Sequence, residues 1–284
     1  MAEDPFELDR AALFGVAYRM LGTRSDAEDV LQEAWLRWHR VDRSTVENAR
    51  AYVFRLVANE SIDHLRRARA RREDYVGPWL PEPLVGDLAE AVALRESASV
   101  GLLLLLETLT PDERAVFVLH EAFDFAHAEI AELLGRSERG VRQLAYRARQ
   151  RVKARRPRQE PDNGDHRELV AGFMAAAVHG DIEVLVKLLA PDAEFRADAD
   201  GQRETPRAPM YGAVAIAEWF RIAAPFWPAA LRVDVTSVNG GPGALVTGGG
   251  VPFLVAAFEV DSAGHVVALY AVLNSAKLAA VSAP

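Results

Sequence analysis

Apolar residues recur at helical spacing through the first half of the chain and alternate with polar ones through much of the last third. That pattern predicts helices first and strands last. Residues 7–21 read as a helix with Leu13, Phe14, Ala17 and Leu21 on one face and Gly22 as its stop. Ser25-Asp26-Ala27-Glu28 reads as a capping box. The helix it opens buries Val30, Leu31, Ala34, Trp35 and Trp38, and its other face carries Asp26, Asp29, Gln32 and Glu33. A third helix starts near Val46 and runs past Leu65, with Ala49, Tyr52, Val53, Leu56 and Val57 toward the core. On its polar side Asn59, Asp63, Arg66 and Arg67 follow the i, i+4, i+7, i+8 spacing of one face.

Residues 110–156 predict three more helices. Thr110 caps the first, with Pro111 at its opening position and Glu113 completing a capping box. The second carries Ile130, Leu133 and Leu134 and stops at Gly135; Ser137 caps the third. The third has one apolar stripe, Val141, Leu144, Ala145, Ala148 and Val152. The rest of its surface holds Arg139, Arg142, Gln143, Tyr146, Arg147, Arg149, Arg151 and Lys153. A helix, a short glycine turn and a basic helix with one buried stripe spell a helix-turn-helix. By position Arg139, Arg142 and Gln143 are candidates to read bases, and Arg147 and Arg149 to touch phosphate.

Between these helical parts, Tyr75-Val-Gly-Pro-Trp-Leu-Pro-Glu-Pro-Leu84 predicts an extended linker, stiffened by its prolines. A second boundary rich in Arg, Pro, Asp and Gly spans residues 157–164. After it the pattern gives helices at Glu168–Val178, Ile182–Leu189 and Val214–Ile222, and a strand at Ala193–Ala197. Strands follow at Leu231–Val238, Ala244–Thr247, Val251–Val260 and Val266–Leu273, separated by turns at Asn239-Gly-Gly-Pro-Gly243 and Asp261-Ser-Ala-Gly264. The expected fold is multi-domain: two all-α domains, then an α+β cone of helices and a curved antiparallel sheet.

Charge refines this picture. The chain carries 33 Lys and Arg against 41 Asp and Glu, a net −8 over 284 residues. From Pro157 onward there are 9 basic and 15 acidic residues, which leaves the first part near neutrality with its basic residues gathered in two runs. One run is the helix after Ser137; the other is Arg66, Arg67, Arg69, Arg71 and Arg72. Local runs of this kind, rather than net charge, mark a nucleic-acid contact. With no cysteine, disulfides and cysteine-ligated metals are excluded, and no metal or cofactor is expected. No apolar run approaches the ~20 residues of a membrane span, and the start is acidic, which predicts a cytoplasmic protein.

Asp26-Ala-Glu-Asp-Val-Leu-Gln-Glu33, Tyr52-Val-Phe-Arg-Leu-Val-Ala-Asn-Glu-Ser-Ile-Asp-His-Leu-Arg-Arg67 and the helix-turn-helix occur in the order and spacing of a bacterial extracytoplasmic-function sigma factor, which the chain resembles over about residues 5–156. The resemblance implies region 2 over 1–72, a linker over 73–97, region 4 over 98–156, a hinge over 157–164 and a further domain over 165–284. It implies that Asp26, Asp29, Gln32 and Glu33 dock on core RNA polymerase. Asn59, Asp63, Arg66, Arg67, Arg69 and Arg71 would bind the minus-ten element of promoter DNA. Ser137, Arg139, Arg142, Gln143, Tyr146, Arg147 and Arg149 would bind the minus-thirty-five element.

The C-terminal part resembles SnoaL-like domains. In the sigma factors that carry one, a Trp-Leu-Pro-Glu-Pro-Leu linker contacts the extra domain. The resemblance thus assigns a regulatory contact to Trp79, Leu80, Pro81, Glu82, Pro83, Leu84, Asp198, Asp200, Asn274 and Lys277. Two segments depart from the subfamily. The loop expected as Asp-Gly-Gly-Gly-Lys reads Asp198-Ala-Asp-Gly-Gln-Arg203, and the expected Asn-Pro-Asp-Lys-Leu reads Asn274-Ser-Ala-Lys-Leu278. Relatives of this fold include enzymes with a deep pocket. The aromatic candidates for one are Phe173, Trp219, Phe220, Phe226, Trp227 and Phe253, and the polar candidates His179, Asp198, Asp200 and His265. No His–carboxylate pair has a spacing that forces convergence, so no catalytic residue is assigned. Two alternatives stay open: a one-component DNA-binding regulator with the tail sensing an unidentified small ligand in its pocket, and a bifunctional protein with a catalytic tail.

Overall fold

The computed structural model describes residues 4–72, 75–86, 99–155, 166–199, 201 and 205–281. Within these, contacts divide the chain into two compact units: one of residues 1–74 and 102–156, the other of residues 75–101 and 157–284.

The first unit is all helical. The predicted 7–21 helix is two: α1 (Pro5–Leu8) and α2 (Arg10–Leu21), parted at Asp9, whose N–H still bonds back to Pro5. Gly22 ends α2 with a left-handed φ of 77°. The next helix, α3 (Arg24–Trp38), is capped by Thr23 and not by Ser25, which lies inside it. Trp38 is buried as expected, but Trp35 faces out at 37% exposure because it sits beside, not on, the 30/31/34/38 stripe. α4 (Ala49–Arg72) starts three residues later than expected, where the Asn48 side chain accepts from Ala51 N at 3.0 Å.

In the same unit follow α5 (Val100–Glu107, which belongs here from Leu102 on), α6 (Pro111–Glu121), α7 (His127–Leu134) and α8 (Glu138–Arg155). Thr110 and Glu113 form the predicted reciprocal cap, and Gly135 ends α7 at φ 62°. The α2–α4 helices and α6–α8 pack on each other around aromatic rings. Phe54 lies 5.1 Å from Phe125 and 6.2 Å from Phe123, centroid to centroid. Arg114, 3% exposed, donates through Nη1 to the Met20 carbonyl at 2.6 Å and pairs with Glu107 at 2.9 Å. Arg19, equally buried, lies 5.1 Å over the Phe123 ring, and burial pushes its pKa down to about 10.

The second unit is α+β. Helices α9 (Arg167–His179), α10 (Ile182–Leu188) and α11 (Ala213–Ala223) cover one face of a six-stranded sheet, and a short α12 (Ser275–Leu278) closes the chain. The strands are β1 (Leu189–Asp198), β2 (Met210–Tyr211), β3 (Leu231–Val238), β4 (Gly241–Gly248), β5 (Val251–Val260) and β6 (Val266–Val272), in the order β2-β1-β6-β5-β4-β3. The expected antiparallel sheet is mixed: β1 and β6 run parallel, while β2 pairs antiparallel at the edge. Parallel pairing needs a long crossover, which the residues between β1 and β6 supply.

The predicted turn at 239–243 shrinks to Asn239-Gly240, both at positive φ (53° and 79°), joining β3 and β4 as a two-residue hairpin. Inside, Phe173, Phe195, Phe220 and Phe258 pack with 5.3–5.7 Å between ring centroids. Phe173 and Phe220 are therefore core residues.

Candidate functional site

Three exposed surfaces of the first unit and one buried cluster of the second account for the described candidates. On α3, Asp29, Gln32 and Glu33 are exposed as expected, flanked by exposed Trp35 and Leu36. An acidic strip beside two large apolar side chains suits a protein partner better than plain solvation. Trp35, expected in the core, belongs to the surface instead, because its position lies at the border of the buried stripe, and Leu36 has no place in that stripe. Asp26 is held inward: it accepts from Thr23 Oγ1 at 2.6 Å and lies 3.1 Å from His64 Nε2. Its position makes it part of the cap that shapes the strip.

On α4, Asn59, Asp63, Arg66 and Arg67 all emerge on one exposed side. Asp63 holds Arg66 at 3.1 Å, and its carbonyl accepts from Arg67 Nε at 3.3 Å. Arg66 also lies 3.6 Å from Asp112, which pairs with Arg136 in the helix-turn-helix turn at 2.9 Å. One carboxylate at the start of α6 thus sits between an arginine of α4 and an arginine of the turn. The side chains of Arg69 and Arg71 lie outside the described ones.

On α8 the predicted stripe is buried except for half-buried Leu144, with Val141 and Ala148 wholly enclosed. Ser137 Oγ accepts from Gly140 N at 3.2 Å and opens the helix. Arg139, Gln143, Tyr146 and Arg147 are exposed, Tyr146 at 63%. Three arginines are tied: Arg142 to Glu138, one turn back, Arg149 to Glu121 of α6 at 2.6 Å, and Arg151 to Glu113 of α6 at 2.6 Å. The His120 and His127 rings meet at 4.3 Å between centroids, tilted by 30°. Burial, then His120, Arg149 and Arg142, hold the His127 pKa below the usual histidine value.

In the second unit the residues 75–86 run extended along the domain. Leu84 and Gly86 add to the free edge of β3: Gly86 N donates to Ser237 O and Asn239 N to Leu84 O, both at 2.8 Å, and Val85 bridges Val238. Leu84 N donates to Asn239 Oδ1 at 3.1 Å. Leu80, Pro81, Glu82, Pro83 and Leu84 are all buried.

At the end of β1, Asp198 is fully buried and accepts from three donors: Leu80 N at 2.8 Å, Lys277 Nζ at 2.6 Å and the Tyr75 hydroxyl. Lys277, 8% exposed, also donates to the Leu80 carbonyl and lies 4.3 Å over the Trp79 ring. Asn274 donates from Nδ2 to the Tyr75 hydroxyl at 2.8 Å and from its backbone to the Asp198 carbonyl at 2.9 Å. The linker, the end of β1 and the α12 cap thus meet at one buried ion pair.

Of the first departing segment, Asp200, Gln202 and Arg203 lie outside the described residues. Asp198, Asn274 and Lys277, which make the contacts, are kept, whereas Ser275 and Ala276 merely continue the turn. Tyr75 and Asn239 are the residues that sequence reasoning left out. Their signal was a tyrosine just before a proline-rich linker and the asparagine of a hairpin.

Of the remaining pocket candidates, Trp219, Trp227 and Phe253 pack onto the core, with ring centroids 5.0 Å (Trp219–Phe220), 6.2 Å (Phe220–Trp227) and 6.2 Å (Trp227–Phe253) apart, and the others disperse. Phe226 is 76% exposed, His179 is exposed with its Nδ1 2.7 Å from Ala175 O, and His265 lies 3.7 Å from Asp261 in the β5–β6 turn. A depression of about 350 Å³ opens instead beside Val186, Leu189, Pro191, Tyr211 and Gly212–Ala215, lined by none of the aromatic candidates. No helix among the described residues is long and apolar enough to cross a membrane.

Comparison with known proteins bears on both units. The pattern of Sigma-70 region 2 matches residues 6–71, and that of Sigma-70, region 4 matches residues 99–152. The ECF RNA polymerase sigma factor SigJ of Mycobacterium tuberculosis is 44% identical over 212 residues, covering 72% of this chain and 67% of SigJ. A probable ECF RNA polymerase sigma factor, SigI, of the same organism is 33% identical over 195 residues, 67% of each chain. The crystal structure of the Mycobacterium tuberculosis SigJ superposes with a TM-score of 0.76 at 35% identity, covering 96% of this chain and 97% of that one.

Proposed function

We propose, from the premise that this chain belongs to the extracytoplasmic-function family of RNA polymerase sigma factors, that its first unit joins core RNA polymerase to promoter DNA and that its second unit regulates this in cis. The acidic strip of α3, with Trp35 and Leu36, is the surface for core polymerase. The exposed side of α4 from Asn59 to Arg67 takes the minus-ten element, and α8 enters the major groove of the minus-thirty-five element by its N-terminal half. Arg139, Arg142 and Gln143 read base edges there, while Arg147 and Arg149 hold phosphates and set the register.

The regulatory half rests on one observation: the linker is seated on the second unit by Asp198, Asn274 and Lys277. A linker that joins two DNA-binding parts and is gripped by a third domain couples the state of that domain to how the two parts are presented. The effect is a shift between populations rather than a new contact with DNA. We read the second unit as regulatory and not catalytic, because Asp198, the buried carboxylate among the described candidates, is spent on the linker and the described histidines lie apart. The chain acts by recognition, without a metal or cofactor.

Run-off transcription with core polymerase tests both halves, comparing the whole chain with one ending at Pro157. Both forms should start at the same promoters at different rates. No initiation by either form would refute the promoter-directing role, and equal rates would refute regulation by the second unit.

A further inference from the structure

We infer that Glu138 is a specificity determinant of the DNA-reading helix, accepting from the exocyclic amine of a cytosine while fixing Arg142 for the neighbouring guanine. The inference rests on the promoter-reading role given to α8 above. Glu138 is the first residue of α8 and the one acid in an eighteen-residue helix that carries six arginines and a lysine. The N-terminal residues of such a helix are those that reach base edges. A carboxylate at that place is repelled by every phosphate the helix approaches, so a surface selected only for affinity would not hold it there.

Two bland explanations are too small to account for it. An acid in a first helical turn and an exposed i,i+4 ion pair each stabilise a helix by a few tenths of a kilocalorie to about one, and any exposed acid would serve.

The geometry gives the carboxylate a chemical task. Glu138 is paired to Arg142, its side chain 44% and that of Arg142 64% exposed. Arg139 and Arg147, by contrast, have no partner among the described residues. Of the arginines put forward to read bases, Arg142 is the one whose guanidinium is already held by an anion. A guanidinium held on one edge presents its other edge as a fork, and a fork matches O6 and N7 of guanine. The carboxylate has further lone pairs, and the base-edge donor that suits it is the cytosine N4 amine. Because the two side chains touch, the bases they read are neighbours.

The test uses the full chain with core polymerase on a template library randomised across the upstream element, with transcripts sequenced. The wild type should favour a cytosine next to a guanine within that element. Glu138→Ala should abolish the cytosine preference, a change of about five- to a hundredfold at that position, and weaken the adjoining guanine preference. It should also tighten binding to random duplex. Glu138→Gln should move the preference from cytosine toward adenine, the base whose edge an amide matches. Arg142→Ala should erase the guanine preference. A purely structural Glu138 would leave the base preferences of both Glu138 variants as in the wild type, and that result overturns the inference. A wild type without any upstream preference would instead count against the promoter-reading role of α8.

Discussion

Replacing Asp198 with alanine should release the linker from the second unit before it unfolds that unit. The carboxylate is fully buried and is the common acceptor for Lys277, the Leu80 N–H and Tyr75. Its removal leaves a buried ammonium without its counter-charge, a loss of about 3–5 kcal/mol. The Leu80 N–H loses its acceptor as well, at about 1–3 kcal/mol. These losses share one group and do not add, so the larger range stands for the whole. What resists release is chiefly the burial of Leu80 and Leu84, about 1.5–3 kcal/mol each. The substitution therefore removes a share of the docking energy comparable to what those two side chains provide.

At 1.36 kcal/mol per decade, the opening constant should rise about a hundred-and-fifty- to five-thousandfold. Amide hydrogen exchange on the intact chain reads this directly. Leu80 should lose protection by that factor, and Leu84, whose N–H is held by Asn239, should follow if the segment opens as one. Amides in the middle of β5 and β6 should keep theirs. Unchanged protection at Leu80 would refute the anchoring role, and an equal loss across the sheet would mean that Asp198 stabilises the domain and not the linker. A cycle with Lys277→Met adds a check: the double variant with Asp198→Asn should be less destabilised than the sum of its parts.

Arg114→Met should lower the denaturant midpoint of the first unit, removing charge-assisted bonds to Met20 O and Glu107 worth about 1.5–3 kcal/mol each before relaxation, without changing the slope of the transition. Asn239→Ala should destabilise the second unit by about 1–3 kcal/mol in urea unfolding, since it takes the acceptor from Leu84 N and puts alanine at a φ of 53°. Thr110→Ala should cost about 0.5–2 kcal/mol in the same assay on the first unit, the usual loss of an N-cap.

The His127 pKa is held low in the folded chain, so the native state binds fewer protons there than the unfolded one. Its contribution to stability is present above about pH 6.5 and is lost as pH falls through the folded value. His127→Gln should therefore flatten the fall in stability between pH 7 and 5; identical slopes for both chains would refute this.

What could be read in advance was whatever one segment decides for itself. The ends of β3 and β5, the Thr110–Glu113 cap and the stripe of α8 follow from local spacing and capping chemistry, and they match the structure. The break at Asp9 and the cap at Thr23 were missed because neighbouring Ser, Thr and Asp residues offer equivalent caps, and only packing chooses among them. The parallel pairing of β1 with β6 and the two-residue β2 depend on partners far along the chain, which periodicity does not carry. For the candidate site, the exposed faces of α3, α4 and α8 were legible as faces. That Asp26 turns inward, that Arg66 shares Asp112 with Arg136 and that Tyr75 completes the Asp198 cluster were not, since each is a tertiary contact.

The seating of residues 75–86 also sets a length. The names of the two promoter elements imply centres about 25 base pairs apart, or about 85 Å at 3.4 Å per step. Freed along its whole course, the chain from residue 73 to residue 99 spans at most about 90–97 Å when fully drawn out. With 75–86 gripped by Asp198 and the β3 edge, the count of residues from 87 to 99, thirteen, bounds the span from the seat to α5 at about 43–47 Å. The grip thus sets an upper bound: while it holds, the residues between the anchor point and α5 can span no more than about half the distance between the elements. Letting go of the linker would about double that reach, so spacer length in the promoter becomes the variable through which the second unit is felt.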